Sequence, residues 1–386
     1  MLVGRARRLD LAEDALGEAF VRAAERWPAG GVPANPVGWL YTTSYRLVLD
    51  RLRAEAMAGR KAPLLAVRPD WAPCSDAPDQ LPDDRLHMLL LCCHPALPRE
   101  ARSALALRLV IGTPTEQIAR LFLVPQATMA ARLTRPKKKI TLAGIPLAGP
   151  VDDELRARLD EVCRTVYLAF TAGYTPGAGP DLLRADLAGE AVRLAGVLHE
   201  LVPDAPAVRA LRALLLLQHA RRDARAPDGR LMTLAEQDRP RWRHDEIHAG
   251  LRLVGALPPD QGYAEELRLQ ALIAAEHGRA ATADETDWEA IASYYTALEA
   301  LTGSPVVRLN RAVAVAEVQG PQAGRALLDG LDDLLPGSHR LAAVRGALAH
   351  RAGDVDLARA SYLVAVERCD NEVERAHLEA RLAALG

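Results

Sequence analysis

Apolar residues recur at spacings of three and four along nearly the whole chain, as in Leu9, Ala12, Leu16, Ala19 and Phe20, and runs of period-two alternation are absent. That periodicity draws one apolar stripe along a helix and leaves no half-buried strand face, so it predicts an all-α fold. Alanine, leucine and arginine, all strong helix formers, dominate the 386 residues. Two stretches break the pattern. Residues 61–83 carry prolines at 63, 69, 73, 78 and 82, each removing a backbone donor, and read as an extended linker. Residues 143–153 (AGIPLAGPVDD) hold two prolines and two glycines and mark a second boundary. The expected organisation is a helical unit over 1–60, the linker over 61–83, a small unit over 84–146 and a long helical part over 147–386.

Several function classes are excluded early. No apolar stretch approaches the roughly 20 residues that span a bilayer, and the opening MLVGRARR lacks the apolar core of a signal peptide. No membrane partner is expected, and a cytoplasmic location is. The cysteines are Cys74, Cys92, Cys93, Cys163 and Cys369, an odd set without a CxxC pair, which points to reduced thiols rather than a disulfide framework or structural zinc. Adjacent Cys92 and Cys93 aim about 100° apart on a helix and suit buried small residues. His244 and His248 share a helical face, but the glutamate lies in the middle of HDEIH and not where a zincin needs it, so a solvated charged helix is expected. Walker, GxGxxG and GxSxG motifs are absent. Neither enzymatic chemistry nor a cofactor is expected.

Charge is unevenly distributed. Residues 1–146 carry 21 basic and 14 acidic side chains, a net +7, and residues 147–386 carry 27 and 36, a net -9. Between Arg85 and Pro146, ten basic residues face only Glu100 and Glu116. Segregation of this kind suits a polyanionic partner for the front of the chain.

The sharpest local signature lies in that basic segment. Thr113 and Glu116 have capping-box spacing with Pro114 at the first helical position, and Ile118, Ala119 and Phe122 form an apolar face. Val124-Pro125 breaks this helix, and Gln126–Arg135 begins a second one with Met129 and Leu133 turned inward. Two short helices across a tight turn, the second rich in polar and basic groups, describe a helix-turn-helix. Its second helix would offer Gln126, Thr128, Arg132 and Arg135 to base edges and phosphates, and Lys137, Lys138 and Lys139 to phosphates. The alternative is a plain helical hairpin with a basic end. Pro136 is expected to kink or end the second helix.

The front unit holds five of the sixteen aromatic residues: Phe20, Trp27, Trp39, Tyr41 and Tyr45. Trp39, Tyr41 and Tyr45 lie close to Arg46, Arg51 and Arg53, a combination that stacks unpaired bases and meets their phosphates. Trp39 and Tyr45 would equally serve as core residues of a small bundle. Near the C-terminus, Gly346, Gly353, Ala358, Tyr362 and Ala365 follow tetratricopeptide spacing, and a shift of about 34 residues lands on Ala312, Gly324, Leu328 and Leu331. Repeats of this kind are expected over 305–386, although a plain antiparallel bundle shares much of the pattern.

Several of these segments together resemble a known family. DLAEDALGEAF (10–20) is similar to the acidic region 2 motif of bacterial RNA polymerase sigma factors, with Gly17 where the family has glutamine. NPVGWLYTTSYRLVLDRLR (35–53) resembles the later part of region 2, and the helix-turn-helix stands where region 4 belongs. The linker, CCHPAL (92–97), YLAFTAGY (167–174) and EQDRPRW (236–242) resemble the extracytoplasmic-function subgroup with a long tetratricopeptide-like extension. The resemblance implies that Asp10, Glu13, Asp14 and Glu18 dock on core RNA polymerase. It implies that Trp39, Tyr41, Tyr45, Arg46, Arg51 and Arg53 hold the melted promoter strand, while region 4 docks on a distal promoter element. The extension would offer a surface to a further protein. The runner-up is a one-component helix-turn-helix regulator with a helical sensor or scaffold domain, which leaves the acidic motif and the aromatic-rich helix unexplained.

Overall fold

The computed structural model describes residues 9–59, 84–122, 124–142, 152–174 and 185–386. Among them are nineteen α-helices and no β-strand, the fold class the periodicity predicts. The proline-rich stretch 61–83 and residues 143–151 of the second break lie outside the described residues. By contacts the chain divides into two compact units, residues 1–119 with 124–158 and residues 120–123 with 159–386.

In the first unit, α1 (Leu9–Gly30) packs on α2 (Pro36–Gly59) through Ala12, Ala15, Leu47 and Val48, flanked by Leu52. Alanines on the inner face of α1 let the two backbones approach closely. Asn35 starts α2: its Oδ1 accepts from the Gly38 N–H at 2.8 Å, and Pro36 at the first helical position has no donor to orphan. Next come α3 (Asp84–Cys92) and α4 (Arg99–Leu109), which bury Leu86, Leu89, Leu90, Leu105 and Leu107 together with the thiols of Cys92 and Cys93. Arg102 braces the turn between them, donating to the carbonyls of Leu97 and Pro95 at 3.0 and 2.8 Å. Short α5 (Thr115–Leu121) and longer α6 (Gln126–Leu142) follow, with α6 packed on both α4 and α1.

The second unit is a succession of helices. The helix α7 (Asp152–Tyr174) spans the boundary between the units, and α8 (Ala185–Leu201) leads to α9 (Pro206–His219). Seven of the nine positions from Ala207 to Leu215 are buried, which shows why α9 is central, since only Arg209 and Arg212 interrupt its buried apolar surface. Short α10 (Arg222–Arg225) precedes α11 (His244–Gly255) and α12 (Gly262–Arg279), both packed on α9. The remaining helices pack mostly on their chain neighbours: α13 (Trp288–Thr302), α14 (Pro305–Gln319), α15 (Pro321–Ala326), α16 (Leu331–Leu334), α17 (His339–Arg351), α18 (Val355–Arg368) and α19 (Glu372–Ala383). Asp287, Ser338, Asp354 and Asn371 cap α13, α17, α18 and α19 by accepting backbone N–H bonds.

Small residues set the spacing of the last hairpins. A Cβ on Gly324 of α15 would lie 2.6 Å from the Ala312 carbonyl oxygen and 2.7 Å from the Ala316 Cβ of α14. On Gly346 of α17 it would meet the Tyr362 ring of α18 at 3.1 Å. Leu328 and Leu331 are buried with Ala312 in one core cluster, and Tyr362 and Ala365 in the next.

Candidate nucleic-acid interface

The α5–turn–α6 segment is built by a division of labour along each helix. Ile118 and Ala119 of α5 are buried and Phe122 is half-buried, as an inward face requires. The turn is closed by the Val124 N–H, which donates to the Ala119 carbonyl at 3.0 Å. On α6, Met129, Leu133 and Pro136 are buried at spacings of four and three, one stripe against α4 and α1. Gln126, Thr128 and Arg135 are exposed, and Arg132 is half-exposed at the stripe's edge. Lys137, Lys138 and Lys139 continue the helix, and their side chains lie outside those described.

Two local expectations are corrected here. Thr113 does not cap α5: its Oγ1 is buried without a hydrogen-bond partner, and its N–H is tied back to the Leu107 carbonyl at 2.9 Å. Pro114 takes the cap position, with its carbonyl accepting from Ile118 at 3.0 Å. Pro136 does not end α6, which runs on to Leu142. The proline falls on the buried stripe, and packing on two neighbouring helices offsets the one missing backbone bond.

The residues of the front unit meet in a different arrangement. Trp39 is half-buried and packs edge-on against Trp27, with ring centroids 5.6 Å apart. Tyr41 and Tyr45, one helical turn apart on α2, lie half-exposed with rings parallel and centroids 6.2 Å apart. Arg46 and Arg53 are exposed, the latter 3.6 Å from Asp50. Arg51 turns the other way. Its guanidinium bridges to Asp14 at 3.3 Å and Glu18 at 3.2 Å on α1, and Glu18 also pairs with Arg22 at 2.6 Å. An arginine expected at nucleic acid and two acids expected at polymerase thus form one clamp between α1 and α2. Glu13 is half-buried beside them, and the Asp10 side chain lies outside those described. Acid and base lie 33 and 37 residues apart in the chain, so only the pairing of helices could reveal the clamp.

Metal-ligating residues come together once among the described residues, where donor atoms of His339, Cys369 and Glu374 lie within 4.8 Å of one another. Protein groups satisfy them: His339 Nε2 lies 3.1 Å from Glu374, and the Cys369 thiol donates to the Asn371 carbonyl at 3.5 Å. His244 and His248 are both exposed. No helix among the described residues is long and apolar enough to cross a membrane.

Comparison with known proteins bears on both units. Residues 87–140, which include α4, α5 and most of α6, match the family described as sigma-70, region 4. Residues 158–257 match a family of unknown function (DUF6596). Over 384 residues the chain is 38% identical to an uncharacterized protein, R00370, of Rhizobium meliloti (strain 1021), a match spanning 97% of this chain and 90% of that protein. The exposed polar face of α6 is therefore part of a region 4 segment, a DNA-binding and non-catalytic module. The chain belongs to one family with the Rhizobium meliloti protein R00370, and its residues 87–140 form a segment similar to region 4 of sigma-70 factors.

Proposed function

We propose that the chain is a sigma factor of the extracytoplasmic-function type, which binds core RNA polymerase in the cytoplasm and directs it to promoters through two DNA elements. The observation that carries the reading is the coincidence of a region 4 match with the outward face of α6. Arg132 and Arg135 would read base edges with Gln126 and Thr128, and Lys137–Lys139 would hold phosphates. Residues 1–60 would act as region 2 and 61–83 as the connection to region 4 over 84–146. The parallel, half-exposed Tyr41 and Tyr45 with exposed Arg46 and Arg53 support a role in holding melted single strand. Trp39, packed on Trp27, would shape that surface from behind. Asp10, Glu13, Asp14 and Glu18 would face polymerase, with Arg51 fixing the second pair of acids on α1.

No bond is made or broken in this mechanism. A sigma factor acts by binding the melted promoter better than the duplex, so selectivity comes from that difference in affinity. The extension over 147–386 would present tetratricopeptide-like hairpins near 305–386 to a protein partner, a reading supported by the close contacts at Gly324 and Gly346.

Co-migration of the purified chain with core polymerase on a native gel, followed by transcription from a supercoiled template library, tests the proposal. A stable complex that initiates at a defined set of promoters is expected. Sequence-specific DNA binding without any affinity for polymerase would instead identify a one-component regulator.

A further inference from the structure

Three metal-ligating side chains from three helices converge at the C-terminal end of the second unit, the one such meeting among the described residues. His339 is the first residue of α17, Cys369 closes the end of α18, and Glu374 lies in the first turn of α19. Donor atoms of the three all lie within 4.8 Å of one another, and His339 Nε2 stands 3.1 Å from Glu374 Oε2. Cys369 is buried in one cluster with Ala342, Tyr362, Ala365 and Leu378, whereas the His339 side chain is 23% exposed. The site is therefore dry at the sulfur and reachable from solvent at the imidazole.

Each of the three is oriented by the turn that carries it. Ser338 caps α17, accepting from the Leu341 N–H at 3.2 Å, and so fixes the turn that begins with His339. Asn371 does this for the other two. Its Oδ1 accepts from the Val373 and Glu374 N–H groups at 3.1 and 3.0 Å, and its carbonyl accepts from the Cys369 thiol at 3.5 Å. Glu374 Oε1 faces Arg340 at 3.5 Å, which leaves Oε2 directed at His339. Outer partners of this kind set the direction of metal ligands. Around a tetrahedral Zn2+, bonds of about 2.0–2.3 Å place neighbouring donors about 3.3–3.6 Å apart. The histidine–glutamate pair is already at that spacing, and the sulfur has to close by at most about 1.3 Å, within reach of side-chain rotation.

We propose that His339, Cys369 and Glu374 bind one Zn2+ ion, with a water in the fourth position. Thiolate, imidazole and carboxylate form a borderline-soft set that suits Zn2+ and disfavours Mg2+ and Ca2+, which take oxygen ligands. The ion replaces the thiol proton, which passes to solvent, and takes the lone pairs that His339 and Glu374 otherwise spend on each other. Thiolate and carboxylate offset its two positive charges. Bound there, it pins α19 to the α17–α18 hairpin across 35 residues of chain. Ligands spread over three helices leave no short linear motif, so the sequence does not announce them. The site does not depend on the sigma-factor reading.

Metal titration of the full-length, chelator-treated protein tests it. Co2+ as a coloured stand-in should give, at one equivalent, a thiolate-to-metal charge-transfer band in the near ultraviolet and the strong visible bands of four-coordinate cobalt. Zn2+ should bleach both, and excess Mg2+ neither. Cys369→Ser should abolish the charge-transfer band, whereas Cys92→Ser and Cys163→Ser, at buried thiols elsewhere in the chain, should retain it. His339→Gln changes a partly exposed side chain, which preserves the test should Cys369→Ser not fold. It should weaken Zn2+ binding at least about tenfold in competition with a chromogenic chelator. No thiolate–cobalt band in the unaltered protein would overturn the proposal. So would a band that survives Cys369→Ser, or a Zn2+ affinity unchanged in His339→Gln.

Discussion

Single side chains on α6 do one of two things. Met129 and Leu133 hold the helix down, and Gln126, Thr128 and Arg135 face outward with Arg132 at the edge. Removing either arginine should therefore leave the melting temperature nearly unchanged and act on DNA. Arg132→Ala and Arg135→Ala are each expected to weaken promoter binding by about 1–3 kcal/mol and to relax sequence preference. Replacing Lys137–Lys139 should instead weaken binding to all sequences alike and lower the salt slope by about 1 per lysine. Fluorescence anisotropy on promoter and scrambled duplexes separates the two effects. Equal losses on both duplexes from the arginine variants would rule out base reading. These outward residues were legible in the sequence because the apolar stripe fixes which face of a helix is free. The Arg51 clamp was not, because its strength depends on which helix happens to lie opposite.

Among elements, the contacts between helices carry the sharper expectations. Gly324→Ala forces a Cβ against the backbone of α14, which cannot move without moving the helix, and is expected to lower stability by about 1–3 kcal/mol. Gly346→Ala meets an aromatic ring that can tilt, so its cost should be smaller. Urea melts of the two variants test the order, and an equal or reversed pair would show that the hairpins adjust as whole helices. A second contact is electrostatic. Glu246 of α11 is half-buried, which raises its affinity for a proton, but its bonds to His219 and Arg222 outweigh burial and depress it below 4.5. A depressed carboxylate binds fewer protons folded than unfolded, so its contribution is present above the unfolded value and is lost as pH falls through the folded one. Glu246→Gln is expected to cost about 1.5–3 kcal/mol at pH 7 and progressively less below pH 4.5. Urea melts from pH 7 to pH 3 measure this, and a cost independent of pH would assign the loss to packing. Elsewhere, the sequence placed α5 and α6 correctly but misjudged their ends. Thr113 was drawn into the interior, and Pro136 was carried through by the packing of its own stripe.

At the scale of the molecule, the dominant fact is the charge split, net +7 over 1–146 and -9 over 147–386. A short proline- and glycine-containing connection keeps the two parts at high effective concentration. The acidic extension could then either compete with DNA phosphate for the basic region 4 or serve as a docking site in the polymerase complex. Truncation after Pro146 distinguishes them. It should raise DNA affinity under competition, an effect that high salt would erase in the full-length chain. Under docking it should abolish transcription, the outcome expected if the proposed tetratricopeptide-like hairpins offer an extended surface to a protein partner. A truncated protein that binds and transcribes like the full chain would exclude both.

The sequence alone determined the all-α class, the order of helices, the outward residues of α6 and the small-residue positions of the last hairpins. Each of these depends on local periodicity or on residue size, which a linear chain displays. Tertiary structure alone decided that Asp14 and Glu18 meet Arg51 and that Pro136 remains helical. Those outcomes depend on which distant surfaces are brought into contact and kept from water. Burial and long-range Coulomb energy exist only once the helices have packed.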